Sequence, residues 1–291
     1  MPGFSWRALD RATAATARLP AGRYALDVVN QHKDGWCGAC YLVAAAQCVD
    51  DRGYIASCRR AAAQRSGRCS RQRLSLQAVM DHFQQYWRLK DDDPLWNSCH
   101  GGWSSEVFQC FVDKQCPLVW ERGSSSLFEW WGFARGTTRC AVSTVSYEVV
   151  SHGPVSPREV PHRLATEGPL VLEIAAEVCL SADERGVCRD LTPRGANHAV
   201  CVVGWEEVQG VGTCWVCRNS WGKSRVPDNL PKNYRSCVGV GFNECDEPTQ
   251  PWKGMPSDPG FFLLPFSYAP LSRENPSPWM APTIALASSK G

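Results

Sequence analysis

The sequence lacks both a long hydrophobic run and a strong excess of charge of either sign. Its 291 residues contain no uninterrupted apolar stretch of about 18 residues, the length that a transmembrane helix requires, so no membrane span is expected. Lys and Arg number 31 against 29 Asp and Glu, and this net charge of +2 argues against a strongly basic nucleic-acid-binding protein. Because 44% of the residues are hydrophobic, an acidic disordered chain is excluded as well.

Signals for secretion are also missing, although the cysteine count suggests an oxidising compartment. The first 19 residues carry four charged side chains and no apolar core of the kind that a signal peptide needs. No Asn-x-Ser/Thr acceptor with a permitted middle residue occurs. Sixteen cysteines, an even and high number, are nevertheless typical of disulfide-bonded proteins. These observations conflict, and from them alone the compartment stays open.

Hydrophobic periodicity divides the chain into a helical part followed by a β-rich part. Helices are predicted over 37–50, 74–87 and 104–112, and a further one over 156–167, where Ser-Pro-Arg-Glu forms a capping box. Strands are predicted over 141–150, 169–175, 198–204, 213–218 and 261–266. We therefore expect an α+β protein with an N-terminal segment (1–30), a helical subdomain (31–125), a β-rich subdomain (126–268) and a disordered tail (269–291).

Three residues predict nucleophilic chemistry. Cys40 stands at the start of an apolar helix, and a helix N-terminus stabilises the negative charge of a thiolate. His198 opens a predicted strand 158 residues further on, and Asn219 ends another strand 21 residues beyond that. A thiol, a base and a group that orients the base form the usual activated nucleophile. The order Cys, His, Asn is that of papain-like enzymes.

Six short motifs in this order resemble the papain-like cysteine peptidases. The matching segments are Gly-Trp-Cys-Gly-Ala-Cys-Tyr (35–41), Leu-Ser-Leu-Gln (74–77), Cys-His-Gly-Gly (99–102), Glu-Gly-Pro-Leu (167–170), Asn-His-Ala-Val (197–200) and Asn-Ser-Trp-Gly (219–222). The resemblance implies the papain-like fold, in which a helical subdomain and an antiparallel, barrel-like β subdomain enclose a cleft. It also implies hydrolysis of peptides or proteins without a metal or other cofactor.

The same resemblance implies a role for each matching residue. Cys40 attacks the scissile carbonyl, His198 shares and later donates the proton, and Asn219 fixes the imidazole tautomer. The Gln31 side chain and the Cys40 backbone N–H stabilise the oxyanion. The implied disulfide joins Cys37 and Cys99, and the implied substrate-binding residues are His32, Gly101, Gly102, Trp103 and Trp221.

A finer resemblance points to the cathepsin X (cathepsin Z) branch of this family. Gln31 stands nine residues before Cys40 and is followed at once by His32, in a loop that ends with Trp36. In that branch an inserted histidine recognises the C-terminal carboxylate of the substrate. By resemblance His32 takes that role here, which predicts a carboxypeptidase.

Two departures from the family pattern lead to further expectations. The usual second Trp-Gly after Asn-Ser-Trp-Gly is absent, and Lys223 to Arg225 stand there instead. The first residues, 2–7, resemble the start of a mature enzyme, so we expect that the enzyme is made without an autoinhibitory propeptide. An inhibitor or a packaging partner would then restrain it. Together with the cysteine count, the family resemblance favours a lysosomal, secreted or particle-packaged enzyme.

Other functions remain open. The protein could be a plain cysteine endopeptidase, or an inactive papain-fold scaffold that binds partners. Cys37 and Cys40 could instead form a redox or zinc pair, with Cys214 and Cys217 as a second zinc pair. Side chains three apart on a strand point to opposite faces, which argues against a metal shared by Cys214 and Cys217.

Overall fold

The computed structural model describes residues 3–31, 37–64, 69, 71, 73–91, 98–116, 118, 147–222, 254–269 and 277–286. Its helices are α1 (Arg11–Thr16), α2 (Cys40–Ala63), α3 (Leu76–Asp91), α4 (Ser104–Val112), α5 (Val160–Glu167) and α6 (Ala176–Leu180), with a 3₁₀ turn at Ser98–His100. Its strands are β1 (Phe4–Ser5), β2 (Tyr147–Pro154), β3 (Leu170–Ile174), β4 (His198–Val208), β5 (Gly212–Arg218), β6 (Phe261–Pro265) and β7 (Trp279–Leu286).

One antiparallel sheet contains the strands of the described residues. Its order is β2-β7-β3-β4-β5-β6, and the short β1 pairs with β4 in addition. Helices α2, α3 and α4 precede β2 in the chain, as the sequence predicts, and α2 packs against β4 and β7. The predicted α+β class is therefore confirmed. The predicted boundary at 125–126 lies outside the described residues.

Helix α2 forms the centre of the molecule and is longer than predicted. Every residue from Tyr41 to Gly53 is buried, so the helix is enclosed on all sides. The sequence predicts a helix over 37–50, in which small and apolar residues run from Cys40 to Val49. Those bounds were wrong: the helix starts at Cys40 and continues to Ala63, because the charges of Asp50, Asp51 and Arg52 are buried within it and have polar partners there.

The partners of these buried charges come from distant parts of the chain. Asp50 accepts a hydrogen bond from the Leu74 amide at 2.9 Å, and Asp51 accepts one from the Leu26 amide at 2.9 Å. Arg71 forms ion pairs with both carboxylates. Because these contacts replace water, the helix can continue through its charged middle.

The prediction of a disordered tail over 269–291 was wrong for the part that forms β7. Prolines and serines in this region suggested disorder, but β7 pairs with β2 along its length and with β3 at Val171 and Leu172. Pro282, which has no N–H to donate, accepts a hydrogen bond from the Arg52 guanidinium through its carbonyl. Contacts with two strands distant in the sequence therefore order this segment.

Helix α5 begins later than its capping-box motif predicts. The Ser156 carbonyl accepts a hydrogen bond from the Glu159 amide in a turn, and the helix starts at Val160. A helix that began at Pro157 would place Pro161 in its interior, where the ring removes a hydrogen bond and clashes with the preceding turn. Starting at Val160 puts Pro161 in the first turn, where proline is tolerated.

The remaining predictions fit more closely. Helix α4 has the predicted bounds, and α3 overlaps the predicted 74–87. Strands β3, β4, β5 and β6 each overlap their predicted segments, whereas β2 extends to Pro154 and residues 141–146 lie outside the described part. None of the described helices is long and apolar enough to span a membrane.

Candidate active site

Cys40 is the first residue of α2 and is partly exposed. A disulfide joins Cys37 to Cys99, and the Gly38 amide donates to the Cys99 carbonyl at 2.9 Å. These two links fasten the segment before Cys40 to the turn that leads into Gly101. The start of the helix is thereby held against the Cys-His-Gly-Gly segment.

His198 and Asn219 are brought together by two neighbouring strands. His198 is the first residue of β4, and Asn219 directly follows β5, which runs antiparallel to β4 with Arg218 opposite Cys201. His198 Nε2 lies 2.9 Å from Asn219 Oδ1, and both side chains are buried. In an antiparallel pair, the start of one strand and the end of its neighbour lie at the same end of the two strands, so these two side chains come close together.

A second hydrogen bond fixes the orientation of the Asn219 amide and hence the imidazole tautomer. The Ser220 backbone N–H, which can only donate, lies 2.8 Å from the same Oδ1. That atom is therefore the acceptor oxygen, and His198 Nε2 carries the hydrogen. In the neutral ring this leaves Nδ1 as the atom that can accept a proton.

Trp221 covers the imidazole. Its ring stacks on His198 with 4.5 Å between centroids and 29° between planes. The following residue, Gly222, has a φ of +80°, and its amide donates to the Val29 carbonyl at 3.1 Å. An L side chain is strained at that backbone angle, so glycine lets the chain turn directly after Trp221.

Gln31 is buried and connects the two halves of the site. Its Nε2 donates to the Cys37 carbonyl at 2.7 Å, and its Oε1 accepts a hydrogen bond from the Ser220 hydroxyl. Its backbone N–H donates to the Ser220 carbonyl at 2.8 Å. A side-chain amide has two N–H hydrogens, so one remains for a ligand after the bond to Cys37.

Burial favours the uncharged form of both Cys40 and His198 when the pKa of each group is considered separately. Desolvation raises the pKa of the Cys40 thiol to about 11, against the effect of backbone N–H groups of Ala199 and Tyr41 that point at the sulfur. Desolvation lowers the pKa of His198 to about 4, although its bond to Asn219 acts in the other direction. The helix N-terminus, which favours the thiolate, acts against this desolvation of the Cys40 thiol.

Gly102 lies beside the ring of Tyr41, the residue that follows Cys40, and Gly101 directly precedes Gly102. A Cβ on Gly102 would lie 2.8 Å from Cε2 of the Tyr41 ring, so only glycine fits beside the residue that follows Cys40. Gly101 has a φ of +99°, which also favours glycine. Trp103, at the start of α4, is 39% exposed and presents an apolar surface next to these glycines.

The structure brings Gln31, Cys40, His198, Asn219 and Trp221 into one region. His32 and residues 33–36, including Trp36, lie outside the described residues.

Sequence reasoning missed two residues near this site. Ser220 holds both Gln31 and the Asn219 oxygen, and its position inside the Asn-Ser-Trp-Gly motif was the available signal. Glu173 is a buried carboxylate in β3 that influences Cys40. Its signal was a charge within the otherwise apolar run Leu-Val-Leu-Glu-Ile.

The model of the papain family of cysteine proteases matches residues 22–229, most of the chain. The chain belongs to the papain family of cysteine proteases. Its fold is shared by procathepsin L2, a digestive proteinase of the Tenebrio molitor larval midgut, with 16% identity, a TM-score of 0.56 and coverage of 97% of this chain and 68% of that one. Bromelain from Ananas comosus, solved with the E64 inhibitor, gives 16% identity, a TM-score of 0.51 and coverage of 97% and 99%.

Membership of the papain family confirms the predicted fold and implies peptide or protein substrates. A structure concerned with the mite allergens Blo t 1 and Der p 1 is also similar, at 21% identity and a TM-score of 0.52, with coverage of 97% and 71%. Since Cys37 is bonded to Cys99, it does not pair with Cys40 as the redox and zinc alternatives require.

Proposed function

We propose that Cys40, His198, Asn219 and Gln31 form the catalytic site of a cysteine carboxypeptidase. One observation carries the catalytic part of this proposal. The Asn219 oxygen, held by the Ser220 amide, accepts from His198 Nε2 at 2.9 Å and so leaves Nδ1 as the basic atom. The Ala199 backbone N–H, one residue after the base, points at the Cys40 sulfur.

The chemistry follows from this arrangement. As Cys40 Sγ attacks the scissile carbonyl, its proton passes to His198 Nδ1, and a tetrahedral oxyanion forms. The free N–H of Gln31 and the Cys40 backbone N–H donate to that oxyanion. His198 then gives the proton to the departing amine, which leaves a thioester on Cys40. Water attacks the thioester while His198 takes its proton, and the acid leaves as Sγ–H is restored.

Burial of both groups favours the uncharged thiol and imidazole in the free enzyme. Proton transfer between them creates two opposite charges at once, and these charges stabilise each other in a site from which water is largely excluded. Such a couple titrates as a pair rather than as two separate groups. Trp221, stacked on His198, lowers the access of water to the imidazole.

The carboxypeptidase part of the proposal is supported by the ends of the loop that contains His32. Gln31 and Cys37 are joined by a hydrogen bond of 2.7 Å, so both ends of this loop are fixed at the proposed oxyanion site. His32 is covalently next to Gln31. An imidazole or imidazolium in this place would bind the terminal carboxylate of a peptide whose last bond reaches Cys40.

The test compares one peptide as its free acid and as its C-terminal amide, under reducing conditions, with wild-type, Cys40→Ala and His32→Ala proteins. The proposal predicts release of single C-terminal residues from the acid only, no release by Cys40→Ala, and loss of the preference for the acid in His32→Ala. Internal cleavage of both peptides would leave an endopeptidase. No cleavage by folded, reduced protein would leave a scaffold that binds partners.

The compartment is part of the same proposal. The Cys37–Cys99 disulfide fits a secreted or lysosomal enzyme, because disulfides persist in oxidising compartments. Restraint by an inhibitor or by packaging stays a prediction from the sequence.

A further inference from the structure

Two buried thiols that the proposed chemistry does not use lie behind the site. Cys48 stands in α2, eight residues after Cys40, and Cys201 stands in β4, three residues after His198. Both side chains are enclosed in the core, and both are free thiols. They therefore belong to the helix and the strand that carry the proposed nucleophile and the proposed base.

The Cys201 side chain points from the sheet towards α2. Cys201 lies directly opposite Arg218 in the β4–β5 pair, and residues in this relation point to the same face, with Cβ atoms about 4.5–5.5 Å apart. That face is the one towards α2, because Arg218 forms its ion pair with Asp51 of α2 at 2.9 Å. Cys201 therefore approaches α2 from a place next to Arg218.

Cys48 faces the same strands from the helix. It comes three residues before Asp51, and side chains with this spacing are neighbours on one helix face, with Cβ atoms about 5–6 Å apart. Its Sγ lies 3.0 Å from the carbonyl oxygen of Pro169. The strand that follows Pro169, β3, begins opposite Val202, the neighbour of Cys201. Cys48 and Cys201 thus lie side by side, next to the buried ion pair.

The surroundings make the two thiols unequal. Desolvation, and to a smaller extent the charge of Asp51, opposes the thiolate of Cys201, but a hydrogen bond from Cys48 and the charge of Arg218 outweigh them and lower the pKa of Cys201. Desolvation and the same hydrogen bond raise the pKa of Cys48 well above its usual value. Because the thiolate is the form that attacks an oxidant, Cys201 is the more reactive of the two.

We propose that Cys48 and Cys201 form a redox-active pair that hydrogen peroxide converts to a disulfide, which covalently links α2 to β4. Hydrogen peroxide is small enough to enter the core during local opening of the fold, whereas a bulky disulfide oxidant is excluded from sulfurs that are enclosed on all sides. The bond joins residues that are distant in the sequence, so it strongly restricts the unfolded chain. Its formation does not depend on the proposed function.

The reaction takes place in two steps. The Cys201 thiolate attacks one oxygen of hydrogen peroxide, an S–O bond forms as the O–O bond breaks, and the departing hydroxide takes up the proton that Cys201 released. Cys48 then attacks the sulfur of the resulting sulfenic acid, the S–S bond forms as the S–O bond breaks, and the second oxygen leaves as water with the proton of Cys48. The two thiols lose two electrons and two hydrogens in total, and the peroxide becomes two molecules of water.

The test treats the folded Cys40→Ala protein with hydrogen peroxide, because this background removes the proposed nucleophile, which peroxide would also oxidise. Proteolysis without reductant and mass spectrometry should find the peptides of Cys48 and Cys201 joined with the loss of two hydrogens, and dithiothreitol should separate them. The midpoint of urea unfolding should rise by roughly 1 M over that of the reduced protein. Cys58→Ala is the matched control: it removes another buried cysteine of α2, about 15 Å further along the helix, and should leave both results unchanged.

Single variants in the same background distinguish the two thiols. Cys48→Ala removes the thiol that completes the disulfide, so a sulfenic acid should accumulate on Cys201 and be trapped by dimedone. Cys201→Ala leaves Cys48 as an uncharged thiol, which should stay unmodified. Circular dichroism before treatment establishes that each variant is folded.

The absence of a bond between Cys48 and Cys201 after peroxide treatment of the folded Cys40→Ala protein would overturn the proposal. A bond from either thiol to a different cysteine, or dimedone on Cys48 in place of Cys201, would overturn it as well. None of these measurements requires turnover. A failure of the proposed function, which the peptide assay detects, is therefore distinguishable from a failure of this proposal.

Discussion

Arg218 and Asp51 form a fully buried ion pair at 2.9 Å that joins the strand leading to Asn219 with the helix that begins at Cys40. Arg218 also donates to the Leu26 carbonyl at 3.1 Å, five residues before Gln31. The pair thus links the segments that carry three of the proposed catalytic residues. Through these contacts, buried residues outside the site help to hold the proposed catalytic residues in place.

Removal of one partner of this pair should be destabilising. Arg218→Met removes the fully buried partner of Asp51, which keeps its contacts with Arg71 and the Leu26 amide, and we expect a loss of about 1–3 kcal/mol in the free energy of unfolding. Urea denaturation measures it. Glu148→Gln is the control, because the Lys114–Glu148 pair is exposed and its loss should cost under about 1 kcal/mol. Equal losses in both variants would contradict a special role for the buried pair.

Gln31→Ala should reduce turnover without changing the reactivity of the thiol. Loss of one oxyanion donor is expected to lower kcat by about 10²- to 10³-fold. Alkylation of Cys40 by iodoacetamide forms no oxyanion, so its rate should stay near that of wild type. A parallel fall in both rates would instead mean that Gln31 only holds Cys37 and Ser220 in place.

Gly53→Ala should destabilise the protein through a direct clash. A Cβ at this position would lie 2.1 Å from Cζ of the buried Tyr147 ring. Overpacking of this kind costs about 1–3 kcal/mol or more, measured by thermal or urea unfolding. Gly195→Ala is the matched control, since a Cβ there meets nothing within 4 Å. If Tyr147→Leu fails to relieve the effect in the double variant, the clash is not its cause.

Local patterns were enough to predict the elements and the motifs, and long-range contacts account for the failures. Cys40, His198 and Asn219 stand at the ends of elements that periodicity defines well. The true length of α2 depends on Arg71 and Arg218, whose proximity to Asp51 no local window contains. The effect of burial on the thiol pKa also arises from the whole fold, whereas the effect of a helix N-terminus is local.

Strand β7 places a late segment of the chain in the interior of the sheet, between β2 and β3. During synthesis, β3 can pair with β4 while its other edge stays open until residues 279–286 have left the ribosome. An open edge with apolar residues is a template for pairing with other chains. Pairing over such a sequence distance is also slow. Completion of the sheet that carries His198 is therefore a late event in biosynthesis, and a stalled or truncated chain would be prone to aggregate.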